Sequence, residues 1–261
     1  WIDSSETIKT RAFSIAGNPN ALASLLVIGF PLALSLFVVE KDIIKKLLFI
    51  VMMLFMGTGL ILTFTRGAWV AVFVSVLIFF LCVGKRLLIP IITFMLSIVL
   101  VFDGLWSRIS MLFSNEYIGK ASEGGRIYRW TTGIQEWSKS KMFGLGIGRY
   151  GGAVATNHKL APFYMDNYYL KTLTESGIIG LGSFIFLLLA TLVQLFAYMK
   201  ATVNPRYRII MYGMYSSLLG VLIHNSVENI FEVPFMVTYF WSFVAMIVAM
   251  YKLDSQMKVG A

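Results

Sequence analysis

The run IIGLGSFIFLLLATLVQLFAYM, residues 178–199, decides the fold of this chain. It contains 13 Leu, Ile, Val and Phe residues and no charged side chain. Each of them contributes about −0.3 to −0.6 kcal/mol to membrane insertion, so the run gains roughly 4–8 kcal/mol, which easily offsets the cost of Gln194. The run is also long enough to cross a bilayer as a helix. We therefore predict a transmembrane helix here.

The composition of the whole chain agrees with a membrane environment. Of its 261 residues, 58% are hydrophobic and 13% are charged, and the mean hydropathy is +0.78. Soluble domains contain about 45–50% apolar and about 25% charged residues, which excludes that class. The single cysteine, Cys82, cannot form an internal disulfide. The chain starts at Trp1 without a signal-peptide pattern, so we expect it to be the later part of a longer protein.

Seven apolar runs have the length and continuity of membrane-spanning helices. They are continuous, whereas the strands of a membrane barrel would alternate apolar and polar residues, so helices are preferred. Asn18 and Pro19 suit a helix start before the first run, because Asn caps well and proline is tolerated in a first turn. The predicted spans are 21–39, 47–64, 67–83, 87–102, 178–199, 209–223 and 235–251.

The short connections predict the orientation of these spans. Basic residues fall on every second connection, which the positive-inside rule assigns to the cytoplasm. The N-terminus and the long polar segment are therefore predicted outside, and the C-terminus inside. We divide the chain into residues 1–102 (outer segment and four spans), 103–176 (extracytoplasmic loop with the active-site motifs) and 177–261 (three spans and the cytoplasmic C-terminus). The basic clusters are Lys41, Lys45 and Lys46; Lys85 and Arg86; Lys200, Arg206 and Arg208; Lys252 and Lys258.

The polar segment contains the stretch Gly124-Gly125-Arg126-Ile127-Tyr128-Arg129-Trp130. Its two glycines leave backbone N–H groups open at a helix start, which is a natural anion site. An apolar stripe follows at i, i+3, i+7 and i+10, which predicts an amphipathic helix at the membrane interface. Ordinary surface anchoring with solvated arginines remains the alternative. The stripe consists of Ile127, Trp130, Ile134 and Trp137.

Two further arginines on the same predicted face are candidates for contact with a substrate. Arg66 lies between two apolar spans, where an arginine is costly without a partner. It either snorkels to headgroup phosphates or binds the phosphate of a lipid-linked substrate, whose oxygens match the guanidinium fork. Arg149 lies within Gly146–Gly151, which has the form G-x-G-x-x-G without the strand and helix that a dinucleotide site needs. Tight turns that aim Arg149 at a substrate fit better.

Carboxylates precede the run at 178–199. Asp166, followed by Asn167 and Tyr168, is predicted either to act as a general base on a sugar hydroxyl or to cap a short helix. Glu175 is a second candidate base. The only two histidines, His158 and His224, do not form a metal-binding pattern, and no metal is expected.

The order of these motifs resembles the O-antigen ligase and Wzy-type polymerase superfamily of bacterial envelopes. The resemblance covers roughly residues 11–189, and its five motifs are individually weak. It implies a GT-C-type, metal-independent glycosyltransferase without a cofactor, in the bacterial cytoplasmic membrane. The motifs are Arg11 with Gly17–Asn20; Thr65–Trp69; Gly124–Arg126 with Trp130; Gly144–Gly148; and Asn167–Leu170 with Glu175 and Gly177–Gly180.

The reaction that the resemblance implies moves a glycan from undecaprenyl pyrophosphate to lipid, protein or another lipid-linked repeat. Partners would be the bilayer, this donor and other polysaccharide assembly proteins, and no nucleic acid. Ligases of the family carry a histidine where this chain has Asp166, while His158 lies earlier in the sequence. This departure favours a polymerase over a ligase and leaves the identity of the base open.

The predicted site combines these residues in named roles. Arg66 and Arg126 would clamp the pyrophosphate, Asp166 or Glu175 would act on the acceptor hydroxyl, and the product would form with inversion. A transporter is the main alternative from another class, but transporters place polar groups near mid-membrane, and here they gather outside. A non-catalytic scaffold is a third. Arg11, Arg129 and Arg149 are further candidates for pyrophosphate binding, and Asn167 and Tyr168 for acceptor positioning.

Overall fold

The computed structural model describes residues 11–14, 17–84, 124–161 and 163–259. These parts are helical with connecting turns and contain no strand, so the predicted all-α class is confirmed for them. A short 3-10 turn, Ile230–Glu232, precedes the last helix. The α-helices are α1 Pro19–Val39, α2 Ile43–Leu62, α3 Arg66–Val83, α4 Arg126–Ser138, α5 Ala153–Asn157, α6 Tyr168–Ala201, α7 Pro205–His224 and α8 Pro234–Val259.

Five of these helices are long and apolar enough to cross a membrane: α1, α2, α3, α6 and residues 234–257 of α8. They coincide with five of the seven predicted spans. The predicted span 209–223 lies within α7, which is helical but is not among the five. The predicted span 87–102 lies outside the described residues, as does the part of the predicted loop before Gly124. The count of seven therefore stays a prediction.

The helix starts follow from local capping. The Asn18 side chain accepts a hydrogen bond from the Ala21 N–H at 2.7 Å, and Pro19 occupies the first turn, as predicted. Asp42 caps α2 in the same way, because its Oδ1 accepts from the N–H of Ile44 and of Lys45. For this reason α2 begins four residues before the predicted span at 47, with its first turn exposed and basic.

Within the first of two compact units, α7 is the central helix. It packs against α1, α3 and α8, and its side chains Met211, Met214, Leu218 and Val221 are fully buried. A helix surrounded by other helices needs less apolar surface than one that faces lipid, and α7 also buries Ser216. This explains why α7 is less apolar than its neighbours. The unit consists of Trp1–Ile92, Thr191–His224 and Val233–Ala261.

The second unit has a small core of its own. The core forms around the buried residues Tyr150, Ala155, Ala161 and Met165, and Trp130 of α4 packs against it. The described part of this unit contains α4, α5, the 3-10 turn and α6 as far as Ala190. The unit consists of Thr93–Ala190 and Asn225–Glu232.

The predicted amphipathic helix exists as α4, but its apolar stripe is divided between two environments. Trp130 lies against the core, and Gly133, the only buried residue of α4, faces Met165. Ile127 and Ile134 are exposed. At about 100° per residue, Ile127 and Ile134 lie at one edge of the stripe and Trp130 lies towards the other, next to Gly133. The core covers only the edge with Trp130 and Gly133.

Candidate functional site

The second unit is built around a break in α6 at Gly177. This glycine has φ +68° and ψ −170°, so the helix is interrupted there and resumes afterwards. Only glycine adopts this conformation without strain. A Cβ at this position would also collide with the backbone carbonyl of Met142. The break is therefore specified by one residue and filled by a neighbouring segment of the chain.

The segment 141–146 satisfies the carbonyls that the break leaves open. In an uninterrupted helix, the carbonyls of Thr174 and Glu175 would accept from the N–H groups four residues later. Here they accept from the N–H of Leu145 and the N–H of Gly146, each at 2.9 Å. The backbone at Gly144, with φ +71°, passes so close to Glu175 that a Cβ would not fit. The segment thus supplies the N–H donors that the next turn of helix would have given to these two carbonyls.

The same segment satisfies the N–H groups on the other side of the break. Ile178 donates to the carbonyl of Lys141 at 2.9 Å, and Ile179 donates to the carbonyl of Met142 at 3.3 Å. Four backbone groups of α6 are therefore paired with a loop instead of with α6 itself. Such pairing is needed for any helix interrupted within or near a membrane. The tight turns predicted in 146–151 are confirmed, since Gly146, Gly148 and Gly151 all have positive φ.

The side chain of Glu175 connects the broken helix to the neighbouring turns. Its side chain is buried, its Oε1 accepts from the N–H of Tyr150 at 3.1 Å, and its Oε2 lies 2.7 Å from Nζ of Lys171. Both carboxylate oxygens are thus engaged with groups of the protein. Lys171 also lies 3.9 Å from the carboxylate of Glu232. The geometry ties the broken helix to the glycine-rich turns.

Glu232 extends the network to α5 and to the connection before α8. Its Oε1 accepts from the N–H of Ala153 at 2.8 Å, and its Oε2 accepts from the side-chain amide of Asn229. The Tyr164 phenol also hydrogen-bonds this carboxylate. Burial, and next the negative charge of Glu232, raise the pKa of Tyr164, so the phenol stays a neutral donor. Neither carboxylate of this network has an open oxygen.

Arg126 and Asp166 form a second polar cluster in the same unit. Nε of Arg126 donates to Oδ2 of Asp166 at 2.8 Å, and its Nη2 lies 3.6 Å from Oε1 of Glu228. The Asp166 side chain is 15% exposed. Its other oxygen, Oδ1, is buried and has no hydrogen-bond partner among the described residues. A buried carboxylate oxygen without a partner is costly, so a group that donates a hydrogen bond to it would be stabilising.

Asn167, not Asp166, caps the start of α6. The Asn167 side chain accepts from the N–H of Leu170 at 3.0 Å, which leaves Asp166 to pair with Arg126. Tyr168 is fixed by its N–H, which donates to the carbonyl of Asn225 at 2.9 Å. Its ring packs edge-on against Phe231. The start of α6 is therefore anchored to the connection 225–232.

The remaining predicted arginines lie in different surroundings. In the second unit, Arg129 donates to the carbonyl of Tyr164 at 3.4 Å and lies over the ring of Phe163, while Arg149 is exposed. In the first unit, Arg66 is the first residue of α3. The three arginines therefore lie in three different settings.

Arg11, also in the first unit, closes the turn between α2 and α3. Its Nε donates to the carbonyl of Thr63 at 2.7 Å, and its Nη2 donates to the side chains of Asn20 and Thr65, each at 3.0 Å.

The two histidines lie in different surroundings. His224 is fully buried with Nδ1 at 3.4 Å from the Ser24 hydroxyl, and His158 is exposed.

Sequence reasoning left out several members of these clusters. Glu228 and Glu232 lie beyond α7, and their role depends on contacts that no spacing reveals. One signal was available: both follow a predicted span that ends on the same predicted face as Arg126. Lys171 could have been found from its i, i+4 relation to Glu175. Within the described ranges, no set of His, Cys, Asp and Glu side chains is arranged to hold a metal ion.

Comparison with known families gives one match. The model of a family described as O-antigen ligase (Wzy_C) matches residues 51–185, just over half of the chain. The match includes Arg66, Arg126, Asp166 and Glu175, while Arg11 and the connection 225–232 lie outside it. A comparison with curated proteins gives no match.

Proposed function

Because the chain belongs to the O-antigen ligase family, we propose that it acts as a glycosyltransferase on an undecaprenyl-pyrophosphate-linked glycan. Membership makes it a bacterial membrane protein of ligase-like or polymerase-like activity. The finer assignment is a Wzy-type polymerase of surface polysaccharide, working at the outer face of the cytoplasmic membrane. One observation carries the mechanism: Arg126 is paired with Asp166, whose second oxygen is open.

Arg126 is the group that we assign to the donor. Two carboxylates already lie within 2.8 Å and 3.6 Å of its guanidinium, which is the geometry of an anion site. A pyrophosphate offers the same fork-like oxygens with more charge, so it competes for this guanidinium. Each charge-assisted hydrogen bond contributes about 1.5–3 kcal/mol. The contacts are strongest when the bond to the sugar breaks and charge develops on the leaving group.

Further arginines complete the proposed clamp. Arg66 is assigned to the pyrophosphate with Arg126, and Arg11, Arg129 and Arg149 are further candidates. The hydrogen bonds of Arg11 to the α2–α3 turn favour an indirect role, in which Arg11 fixes the turn that carries Arg66. Exposed Arg149 suits an entering substrate.

Asp166 is the group that we assign to the acceptor. Oδ1 accepts a hydrogen bond from the hydroxyl of the acceptor glycan. The oxygen of this hydroxyl attacks the anomeric carbon from the face opposite the pyrophosphate. The carbon–oxygen bond to the phosphate breaks, undecaprenyl pyrophosphate leaves with the electron pair, and the hydroxyl proton passes to Asp166. Arg126 contacts Asp166 through Nε, and a guanidinium has five N–H donors, so its terminal nitrogens can bind the donor while Nε holds Asp166. Arg126 thus places the base beside the donor when the acceptor hydroxyl is deprotonated.

Glu175, the second candidate base, fits a positioning role better. Its two oxygens are occupied by Lys171 and by the N–H of Tyr150. Asn167 and Tyr168 lie directly after Asp166, where they can orient the acceptor. No cofactor or metal enters this scheme.

The choice between polymerase and ligase rests on Asp166. Its carboxylate replaces the histidine of family ligases, which favours a polymerase. The description of the matched family favours ligase-type transfer to a lipid or protein, and this is the second candidate.

The experiment is incubation of the full-length protein in liposomes with undecaprenyl-pyrophosphate-linked repeat units from its host. A product ladder spaced by one repeat supports the polymerase. Single-step transfer that requires an added acceptor supports the ligase. Formation of either product should fall strongly in Arg126→Ala and stay unchanged in Arg206→Ala, which removes an arginine from the largely exposed start of α7. Absence of both products from the unaltered protein would contradict the proposal.

A further inference from the structure

The turn that fills the break in α6 carries large apolar side chains away from the protein. Met142, Phe143 and Ile147 are 54%, 74% and 89% exposed, whereas Leu145 between them packs against the core of the second unit. We call these three residues the apolar tip. Three large exposed apolar side chains within six residues are unfavourable in water, because apolar surface is more stable when it is removed from water.

The backbone behind the apolar tip is already hydrogen-bonded. The carbonyls of Lys141 and Met142 accept from α6, and the N–H groups of Leu145 and Gly146 donate to it. Irregular backbone is tolerated at membrane depth only where protein satisfies its polar groups. The backbone of an ordinary surface loop can hydrogen-bond to water instead. Here the break in α6 supplies the hydrogen-bond partners.

The apolar tip is continuous with a surface that faces lipid. The residues of α6 that hydrogen-bond its backbone, Ile178 and Ile179, are themselves 53% and 45% exposed. They begin the apolar stretch of α6, which continues with exposed Phe186, Leu187 and Leu189. Because α6 is long and apolar enough to span the bilayer, its exposed side chains have lipid as their partner. The tip adjoins the start of this stretch, because the carbonyls of Lys141 and Met142 accept from the N–H groups of Ile178 and Ile179.

Charged and amphipathic residues lie at the other edge of the apolar tip. Lys139 and Lys141 are exposed, and the indole N–H of Trp137 donates to the Lys141 carbonyl at 3.0 Å. Lysine and tryptophan at the border of an apolar surface are typical of the headgroup level of a membrane. Along the chain, the residues typical of the headgroup level therefore come directly before the apolar tip.

We propose that the apolar tip, Met142, Phe143 and Ile147, is inserted into the lipid bilayer beside the first turns of α6. The lysines and Trp137 then lie at headgroup level, and the insertion fixes the depth of the Gly177 break. The occupant of this surface is a lipid bilayer, not a second protein. This inference does not depend on the proposed function.

The test measures the depth of single spin labels in the full-length protein in liposomes. Cys82→Ser removes the native thiol of this chain, and single cysteines replace Phe143 or Ile147. Lipid insertion predicts that the labels are relaxed more by oxygen than by a water-soluble nickel chelate. His158→Cys serves as the matched control, because His158 is exposed in the same unit outside the tip and should report water.

Two results would overturn this proposal. Labels at 143 and 147 that match the control would mean that the tip lies in water. Labels shielded from both reagents would mean that a protein covers it. Ile147 projects almost entirely from the protein, so Ile147→Cys should fold normally and decides the outcome if Phe143→Cys does not fold.

Discussion

Nε of Arg126 lies 2.8 Å from Oδ2 of Asp166, although the two residues are 40 positions apart in the chain. Their side chains are 33% and 15% exposed, so water screens the pair only in part. Removing either residue leaves the charge of the other without this partner, which distinguishes the two substitutions below from ordinary surface changes.

Arg126→Ala is expected to reduce glycan transfer by roughly ten- to a hundredfold. One charge-assisted hydrogen bond contributes about 1.5–3 kcal/mol, and about 1.4 kcal/mol corresponds to a factor of ten. The transfer rate of Arg126→Lys should lie between those of Arg126→Ala and the unaltered protein. Lysine keeps the positive charge but cannot make the paired hydrogen bonds of a guanidinium. Transfer rates over a series of donor concentrations measure this. Equal rates for all three proteins would exclude Arg126 from donor binding.

Asp166→Asn is expected to abolish transfer while donor binding is retained, because the amide keeps the size of the side chain but cannot take a proton. Asp166→His should restore part of the activity, since neutral imidazole is also a base. A base works when deprotonated, so the rate of the histidine variant should rise with pH through about 6.5, the usual imidazole value. The pH–rate profiles of both variants measure this. An active Asn variant would rule out Asp166 as the base.

Gly177→Ala is expected to unfold the protein at lower temperature and to impair transfer. Alanine at φ +68° is strained, and its Cβ would meet the Met142 carbonyl, so the segment 141–146 could no longer enter the break. Gly182→Ala, in the same helix, is the matched control because its added Cβ has nothing within 4 Å. Thermal unfolding in detergent measures the difference. Equal stability of the two variants would contradict the role of the break.

Lys171→Met is expected to destabilise the second unit by about 3–5 kcal/mol, since it leaves the buried Glu175 carboxylate without its cation. The side chains of this pair are 12% and 5% exposed. Lys139→Met provides the contrast, because Lys139 pairs with Glu136 at the surface, where such a pair contributes less than about 1 kcal/mol. Hydrogen exchange of the backbone around Tyr150 measures the local effect. Similar exchange in both variants would mean that Glu175 does not depend on Lys171.

Local patterns were sufficient for most of the helices. Continuous apolar runs identify helices that cross a membrane because insertion depends on summed side-chain hydrophobicity. Asn18 and Pro19 identified the start of α1, because capping involves only neighbours along the chain. The predicted helix at 209–223 is likewise present within α7, but its burial among α1, α3 and α8 depends on packing that its own sequence does not encode.

The sequence by itself determined the membrane class, five of the helices that can span a membrane and the residue types available for chemistry, because these follow from composition and short spacing. Only the tertiary structure decided which charges meet. It pairs Arg126 with Asp166 and Glu228, and it engages both oxygens of Glu175, while one buried oxygen of Asp166 has no hydrogen-bond partner within the described part of the chain. It also inserts a glycine-rich turn into the break at Gly177. Contacts between distant segments arise from how helices pack and where their backbone groups find partners, and neither is written in local spacing.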